Sequence, residues 1–338
     1  MLKKSLLILL FLITGAFLWA NDSFIELGGG SIIPIDSPEG SSHPSIQMKK
    51  EVIYITLNDK SYHVQVNFEF YNSGDKTTIN VGFPEWEYGT IKGAKLKEFN
   101  TSVNGEFVKF KEIPNTQTQK ENSGIKIQKW FVREITFPAN EITKTSVYYD
   151  CDYGYEGYNR SVSYLFGTGK TWNGPIEKQT IVITNRINDI DSIILADRTS
   201  LTENSKVLHG YLMGKITSSN NHFTIQRTNV LPDYYDNFYM EITEYYYLGL
   251  FSKPGDDYTL STKPIFPSDL IFFTNDQLRY LRNVIYAWHD HIFDSADLKA
   301  IFKKKDWYKP THKVQTSEFN QTELKNLKTI MEEEKLRK

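Results

Sequence analysis

Three short stretches carry residue types that could do chemistry. His289-Asp290-His291 offers two imidazoles and a carboxylate, the ligand types of a zinc site. On a helix, positions i and i+2 point about 200° apart, so both rings reach one ion only where the helix has ended. Helical zinc sites use i, i+4 spacing, as in H-E-x-x-H, and that spacing is missing here. A helix ending at Asp290 would let Asp294 join; the simpler expectation is His289 hydrogen-bonded inside a folded module, with no metal. Gly169-Lys170-Thr171 looks like the end of a phosphate-binding loop. That pattern needs a glycine five positions before Gly169, where Tyr164 stands. The glycines and Pro175 suit a tight bend carrying Trp172 onto a sheet. Cys151 is the single cysteine, so it makes no internal disulfide. Asp150 and Asp152 flank it and disfavour a nucleophilic thiolate.

No Gly-x-Ser-x-Gly elbow occurs, and the seven histidines are scattered without a partner motif. Carboxylates such as Asp233, Asp236, Glu241 and Glu244 are plentiful, but a catalytic pair is defined by its separation in space. Nothing marks the chain as an enzyme, and no cofactor is called for. What remains is recognition by flat, amphipathic rings. Candidates in the sheet-rich part are Trp86, Tyr88, Tyr153, Tyr155, Tyr158 and Trp172. Tyr153-Gly154-Tyr155-Glu156-Gly157-Tyr158 stands out because glycines free the backbone between tyrosines. In the C-terminal part the candidates are Tyr286, Trp288, His289, Trp307 and Tyr308. A loop whose tyrosines simply cover the sheet is the plainer alternative.

The elements that must position these residues change character along the chain. Lys3 and Lys4 precede an apolar run over residues 6–20, broken only by Thr14 and Gly15. Its length is that of a signal-peptide core, short of the roughly 20 residues of a membrane span. Ala16 and Ala20 offer cleavage points; an uncleaved N-terminal anchor is the alternative. The expected setting is extracytoplasmic, periplasmic or secreted. A formal net charge of −2 argues against general nucleic-acid binding. The 14% aromatic share favours strands.

Across residues 51–244 the dominant period is two. Tyr62, Val64, Val66, Phe68 and Phe70 alternate with His63, Gln65, Asn67 and Glu69, as in a strand with one buried face. Asn72-Ser73-Gly74-Asp75 then turns the chain, and Asn104-Gly105 is a hairpin signal. Further strands are expected around Trp130-Phe131-Val132 and Thr145-Ser146-Val147-Tyr148-Tyr149, and then over 179–185, 192–196, 223–227 and 238–247. From Ser268 the period becomes helical. Thr274 with Gln277, and Asn320 with Glu323, form capping boxes. Phe273 with Leu278, and Phe319 with Leu324, flank them as staples. Leu324, Leu327 and Met331 continue the last apolar stripe.

In the helical stretch Arg282-Asn283, Tyr286-Ala287, His289, Ile292-Phe293 and Trp307-Tyr308 form a pattern that resembles, in type and spacing, the YARHG domain. Trp288 stands where that family has arginine and Asp290 where it has glycine. The resemblance implies an extracytoplasmic setting and a cell-wall or protein partner. The sheet-rich portion carries Ala20-Asn21-Asp22-Ser23, residues 26–30, Met48 before Glu51-Val52, Phe68-Phe70-Asn72, Val81-Gly82-Phe83-Pro84 and the stretch 167–176. In these it is similar to an exported bacterial family, domain of unknown function four-four-two-four. The likeness implies an exported β-rich fold and no known chemistry.

The expected architecture is mostly β, with one or two β-sandwich domains followed by a small α-helical module. The boundaries are a signal peptide at 1–20, a sandwich at 21–151, a second β-rich domain or continuation at 152–262, and the module at 263–338. The expected role is non-enzymatic binding of an envelope protein or cell-wall glycan. The alternative is a hydrolase using carboxylates or a metal.

Overall fold

The computed structural model describes residues 23–28, 31–34, 42–88, 96–115, 125–156, 159–190, 192–196, 215–232, 237–244 and 260–337. The apolar run at 6–20 and Tyr158 lie outside them, as do the side chains of Trp86 and Tyr88. The chain is mostly β, with three C-terminal α-helices among the described residues.

Seventeen strands among the described residues form three sheets. The first contains β1 (Ser23–Gly28), β2 (Ser31–Pro34), β5 (Thr77–Tyr88), β8 (Lys111–Pro114) and β9 (Ile125–Phe137), in the order β2-β1-β5-β9-β8. The largest contains β3 (Ile46–Leu57), β4 (Ser61–Asn72), β6 (Lys97–Val103), β7 (Glu106–Phe107), β10 (Ile142–Asp152), β13 (Ile176–Asn185), β15 (Lys215–Ser219) and β16 (His222–Val230). Its order is β15-β16-β13-β3-β4-β10-β6-β7, antiparallel except where β13 runs parallel to β3. The third contains β11 (Gly154–Glu156), β12 (Asn159–Leu165), β14 (Ser192–Ala196) and β17 (Asn237–Glu244), in the order β11-β12-β17-β14.

Alternation builds the sandwich. Val64, Val66, Phe68 and Phe70 of β4 and Val147 and Tyr149 of β10 are buried on one face. They meet Val81, Phe83, Ile135 and Phe137 of β5 and β9 in one core. Phe83 lies 5.6 Å from Tyr149 and Phe70 lies 5.8 Å from Phe137, ring to ring. Tight turns close the hairpins with residues that tolerate positive φ: Asn104 and Gly105 have φ of 51° and 91°.

A bulge alters the alternation once with consequence. Between Met48 and Lys50 the β3–β4 register shifts. Lys49 and Lys50 therefore both leave the core, and Glu51 turns into it. That fully buried carboxylate accepts from the Tyr164 hydroxyl (2.9 Å) and from Gln179 Nε2 (2.6 Å). Gln179 Oε1 in turn accepts from Arg227 Nε at 2.7 Å, and the Arg227 guanidinium lies over Phe166 at 4.5 Å. A buried charge is tolerable only when hydrogen-bonded in this way. The same bonds tie β3 and β13 to β12 of the third sheet. Asp152 completes β10, Gly154–Glu156 form β11 and Asn159 starts β12.

The helices are α1 (Asn275–Trp288), α2 (Ala296–Phe302) and α3 (Gln321–Leu336). Both expected capping boxes form. Gln277 N donates to Thr274 Oγ1 at 3.1 Å and Glu323 N to Asn320 Oδ1 at 2.9 Å, while each glutamine or glutamate reaches back to the cap N–H. Leu278, Leu281, Ile285 and Leu327 are buried in a second core. Met331 is exposed and Ile330 takes its place inward, a one-residue error in the apolar stripe. The module docks on the sheets through Phe272 against Phe223 (5.5 Å) and Gln277 Nε2 donating to the Ser192 carbonyl (2.6 Å).

Candidate binding surface

The sequence-selected residues of the sheet-rich part separate by burial. Trp172 is only 1% exposed. It follows a 3₁₀ turn at Gly167–Thr171 and packs against Phe70 (4.6 Å) and Phe137 (6.0 Å) between two sheets. Gly169-Lys170-Thr171 thus belongs to a bend that delivers Trp172 to the core. Tyr153 is also buried, its hydroxyl donating to the Asn58 carbonyl at 2.6 Å beneath Arg160. Burial pushes its phenol well up. Tyr155 is 60% exposed in β11. Cys151 points inward, and burial is the first cause of its raised thiol pKa, with Asp150 and Asp152 adding less. The flanking carboxylates act in the direction expected from sequence, and burial adds the larger cause.

In the module, His289 is the C-cap of α1. Its Nε2 lies 3.0 Å from Glu323 Oε1, a carboxylate that also accepts from Ser261 Oγ at 2.6 Å. His291 Nδ1 accepts from Val314 N at 3.0 Å, and Asp294 pairs with Lys313 at 2.6 Å. The two imidazoles thus serve separate partners. No group of three or more His, Cys, Asp or Glu among the described residues is placed to hold a metal. Tyr286 meets Phe319 edge-on at 4.9 Å. Trp288 is buried at the end of α1, and its indole N–H has no partner among the described residues. Trp307 and Tyr308 pack on Phe302, and the Tyr308 hydroxyl donates to the His291 carbonyl at 2.6 Å. Asp290, where the family signature has glycine, has φ of 57°. That left-handed geometry favours glycine, and a short polar side chain is the usual substitute. Asp290 Oδ1 also accepts from Lys309 N at 2.9 Å.

A second set of residues, not singled out from sequence, comes together on the outer face of the large sheet. Register places Tyr54, Gln65, Tyr148 and Asn100 in one row across β3, β4, β10 and β6. Tyr54 and Tyr148 are 40% and 42% exposed. They sit on alternate strands, roughly 9–10 Å apart by ordinary strand spacing. The adjacent row runs His222, Thr184, Thr56, His63 and Asp150. Its members hydrogen-bond sideways: Thr184 Oγ1 to His222 Nδ1 at 3.1 Å and His63 Nδ1 to Asp150 Oδ1 at 2.8 Å. The His63 ring tilts against Tyr148 with centroids 4.0 Å apart, so the carboxylate fixes the imidazole and the imidazole braces the tyrosine. A third row carries Asn67, Ser146 and Ser102, with the two serine hydroxyls 2.6 Å apart.

The result is an open face of hydroxyls, amides and imidazoles studded by two rings. Such a surface can stack on planar or pyranose faces and exchange hydrogen bonds with polar edges. The wet alternation of His63, Gln65 and Asn67 was legible on one strand. Tyr54 and Tyr148 join it only through register, which the sequence does not print.

No curated protein matches the chain. Among solved structures, a Legionella pneumophila protein with the provisional name of nutrient binding protein is 21% identical, with a TM-score of 0.48 over 92% of this chain and 99% of that one. An M1 zinc metallopeptidase from Deinococcus radiodurans is 10% identical, with a TM-score of 0.32 over 59% of this chain and 43% of the enzyme. Leukotriene A4 hydrolase from Saccharomyces cerevisiae is 7% identical, with a TM-score of 0.33 over 59% and 29%. The helical module, with its Tyr286, His289, Trp307 and Tyr308, is the part that matches a known family, the YARHG domain, over residues 257–335.

Proposed function

We propose that the chain is a non-enzymatic binding protein of the cell envelope whose large sheet holds a cell-wall glycan on its outer face. In this reading residues 1–20 direct export, residues 21–262 carry the binding sheet, and residues 263–338 form the YARHG module. The observation that carries the reading is the row of Tyr54, Gln65 and Tyr148 beside the braced His63–Asp150 pair. Two exposed rings on alternate strands suit an extended polymer of sugars better than a compact ligand, which would require a pocket. The Gln65 amide between the rings suits hydroxyls, and no metal or nucleophile is asked to act. A YARHG module in the same chain and the basic-then-apolar N-terminus support the extracytoplasmic setting.

The test is co-sedimentation with purified peptidoglycan. The chain should be retained, and the double variant Tyr54→Ala, Tyr148→Ala should bind roughly tenfold or more weakly, since each ring contributes about 0.5–1.5 kcal/mol of stacking. Failure of the unaltered chain to sediment at any pH tried would sink the reading. Retention equal to that of the double variant would move the site elsewhere.

A further inference from the structure

The module carries a lysine-rich turn at the end of α2. Within residues 299–309 stand five lysines, Lys299, Lys303, Lys304, Lys305 and Lys309, against one carboxylate, Asp306, in a chain whose formal net charge is −2. Several cations elsewhere in the module do pair with carboxylates: Arg279 with Asp297, Arg282 with Glu334, Lys313 with Asp294 and Arg337 with Glu333. Lys303, Lys304 and Lys309 are exposed and have no ion pair among the described residues. Lys299 lies one helical turn before Lys303, whose N–H donates to its carbonyl at 3.0 Å.

These lysines are displayed by a fixed turn. Lys304 N donates to the Ile301 carbonyl (3.2 Å), Lys305 N to that of Phe302 (2.9 Å) and Tyr308 N to that of Lys305 (3.1 Å). The turn is pinned because Phe302 is fully buried under it. Trp307, which meets Phe302 at 6.3 Å, is only partly buried and stands in the same turn as the lysines. Exposed Lys303, Lys304 and Lys309 on the same turn as a partly buried tryptophan are the chemistry of a bilayer surface. The cations meet acidic headgroups, and the amphipathic ring sits at the headgroup level.

We propose that this lysine turn docks the module peripherally on a bilayer bearing acidic headgroups. The proposal concerns a site separate from the glycan-binding face and stands or falls independently of it. The experiment is flotation of the full chain with phosphatidylcholine vesicles, with and without added phosphatidylglycerol. The readout is the ratio of binding on acidic over neutral vesicles, which cancels what the apolar stretch at 6–20 adds to both. The ratio should be roughly tenfold or more at low salt and should collapse as salt is raised. The triple variant Lys303→Gln, Lys304→Gln, Lys309→Gln should bring it near one. Asp306→Asn should increase it. A ratio near one for the unaltered chain, or an unchanged ratio in the triple variant, would overturn the proposal. Peptidoglycan retention of the triple variant, carried by the other surface, should be unaffected.

Discussion

The two faces of the eight-stranded sheet are made by the same strands and obey opposite rules. Inward, β4 and β10 present Val64, Val66, Phe68, Phe70, Val147 and Tyr149, all buried. Outward, the same two strands present His63, Gln65, Asn67, Ser146, Tyr148 and Asp150. Inner side chains are fixed by close packing, so replacing them changes stability. Outer side chains touch mainly their cross-strand neighbours and water, so replacing them changes what the face can hold. Fold and binding are therefore separable by mutation within single strands.

The strongest attempt to break that separation is Trp172→Ala. Removing an indole packed on Phe70 and Phe137 should cost about 3–5 kcal/mol in denaturant unfolding. Peptidoglycan retention by the remaining folded protein should not change; a parallel loss of both would show that the faces are coupled. Tyr164→Phe is a finer cut. It removes one donor from the buried Glu51 carboxylate and should cost about 1–3 kcal/mol, again without altering binding.

A smaller effect comes from pH. His43 is buried beside Trp172 (6.5 Å) and its Nδ1 accepts from Ile46 N at 3.1 Å. Burial lowers its pKa, and burial lowers that of His291 as well. The unfolded chain, with histidines near 6.5, then takes up protons before the folded one does. Stability from these groups is complete above about pH 6.5 and is lost as pH falls through their folded-state pKa values. A melting temperature followed down from neutral pH should show that decline, and His43→Gln should flatten part of it. A slope unchanged by the substitution would remove His43 from the account. At the small end, the outer-face pair Tyr54→Ala, Tyr148→Ala should move unfolding by about 1 kcal/mol, roughly 0.5 kcal/mol for each surface substitution, while it abolishes most retention.

How much could be read beforehand follows the same division between local and non-local. Thr274 with Gln277 and Asn320 with Glu323 are three residues apart, so both helix starts were legible as written. The inner face of β4 was legible because alternation is a property of one strand. The outer site was not. Tyr54, Gln65 and Tyr148 become neighbours through pairing registers that depend on turns and bulges far from any of them. The bulge at Lys49 that turns Glu51 inward leaves no mark in composition. Trp172 and Tyr153 were chosen as rings available for stacking, because aromatic residues beside glycines read alike whether the bend carries them in or out. Asp290 is the reverse case: a departure from the family signature that φ of 57° makes intelligible.

The parallel pairing of β3 with β13 also bears on the order in which the protein is made. Its partners, such as Glu51 and Gln179, are 128 residues apart, and loops of that length close late. While the chain is being synthesised, β3 can join β4 but keeps its other edge open. That edge is closed only when residues 176–185 arrive. An open edge of this kind recruits other strands, so any fragment ending before β13 carries its own aggregation hazard. The complete sheet is one that assembles after most of the chain has left the machinery that makes it.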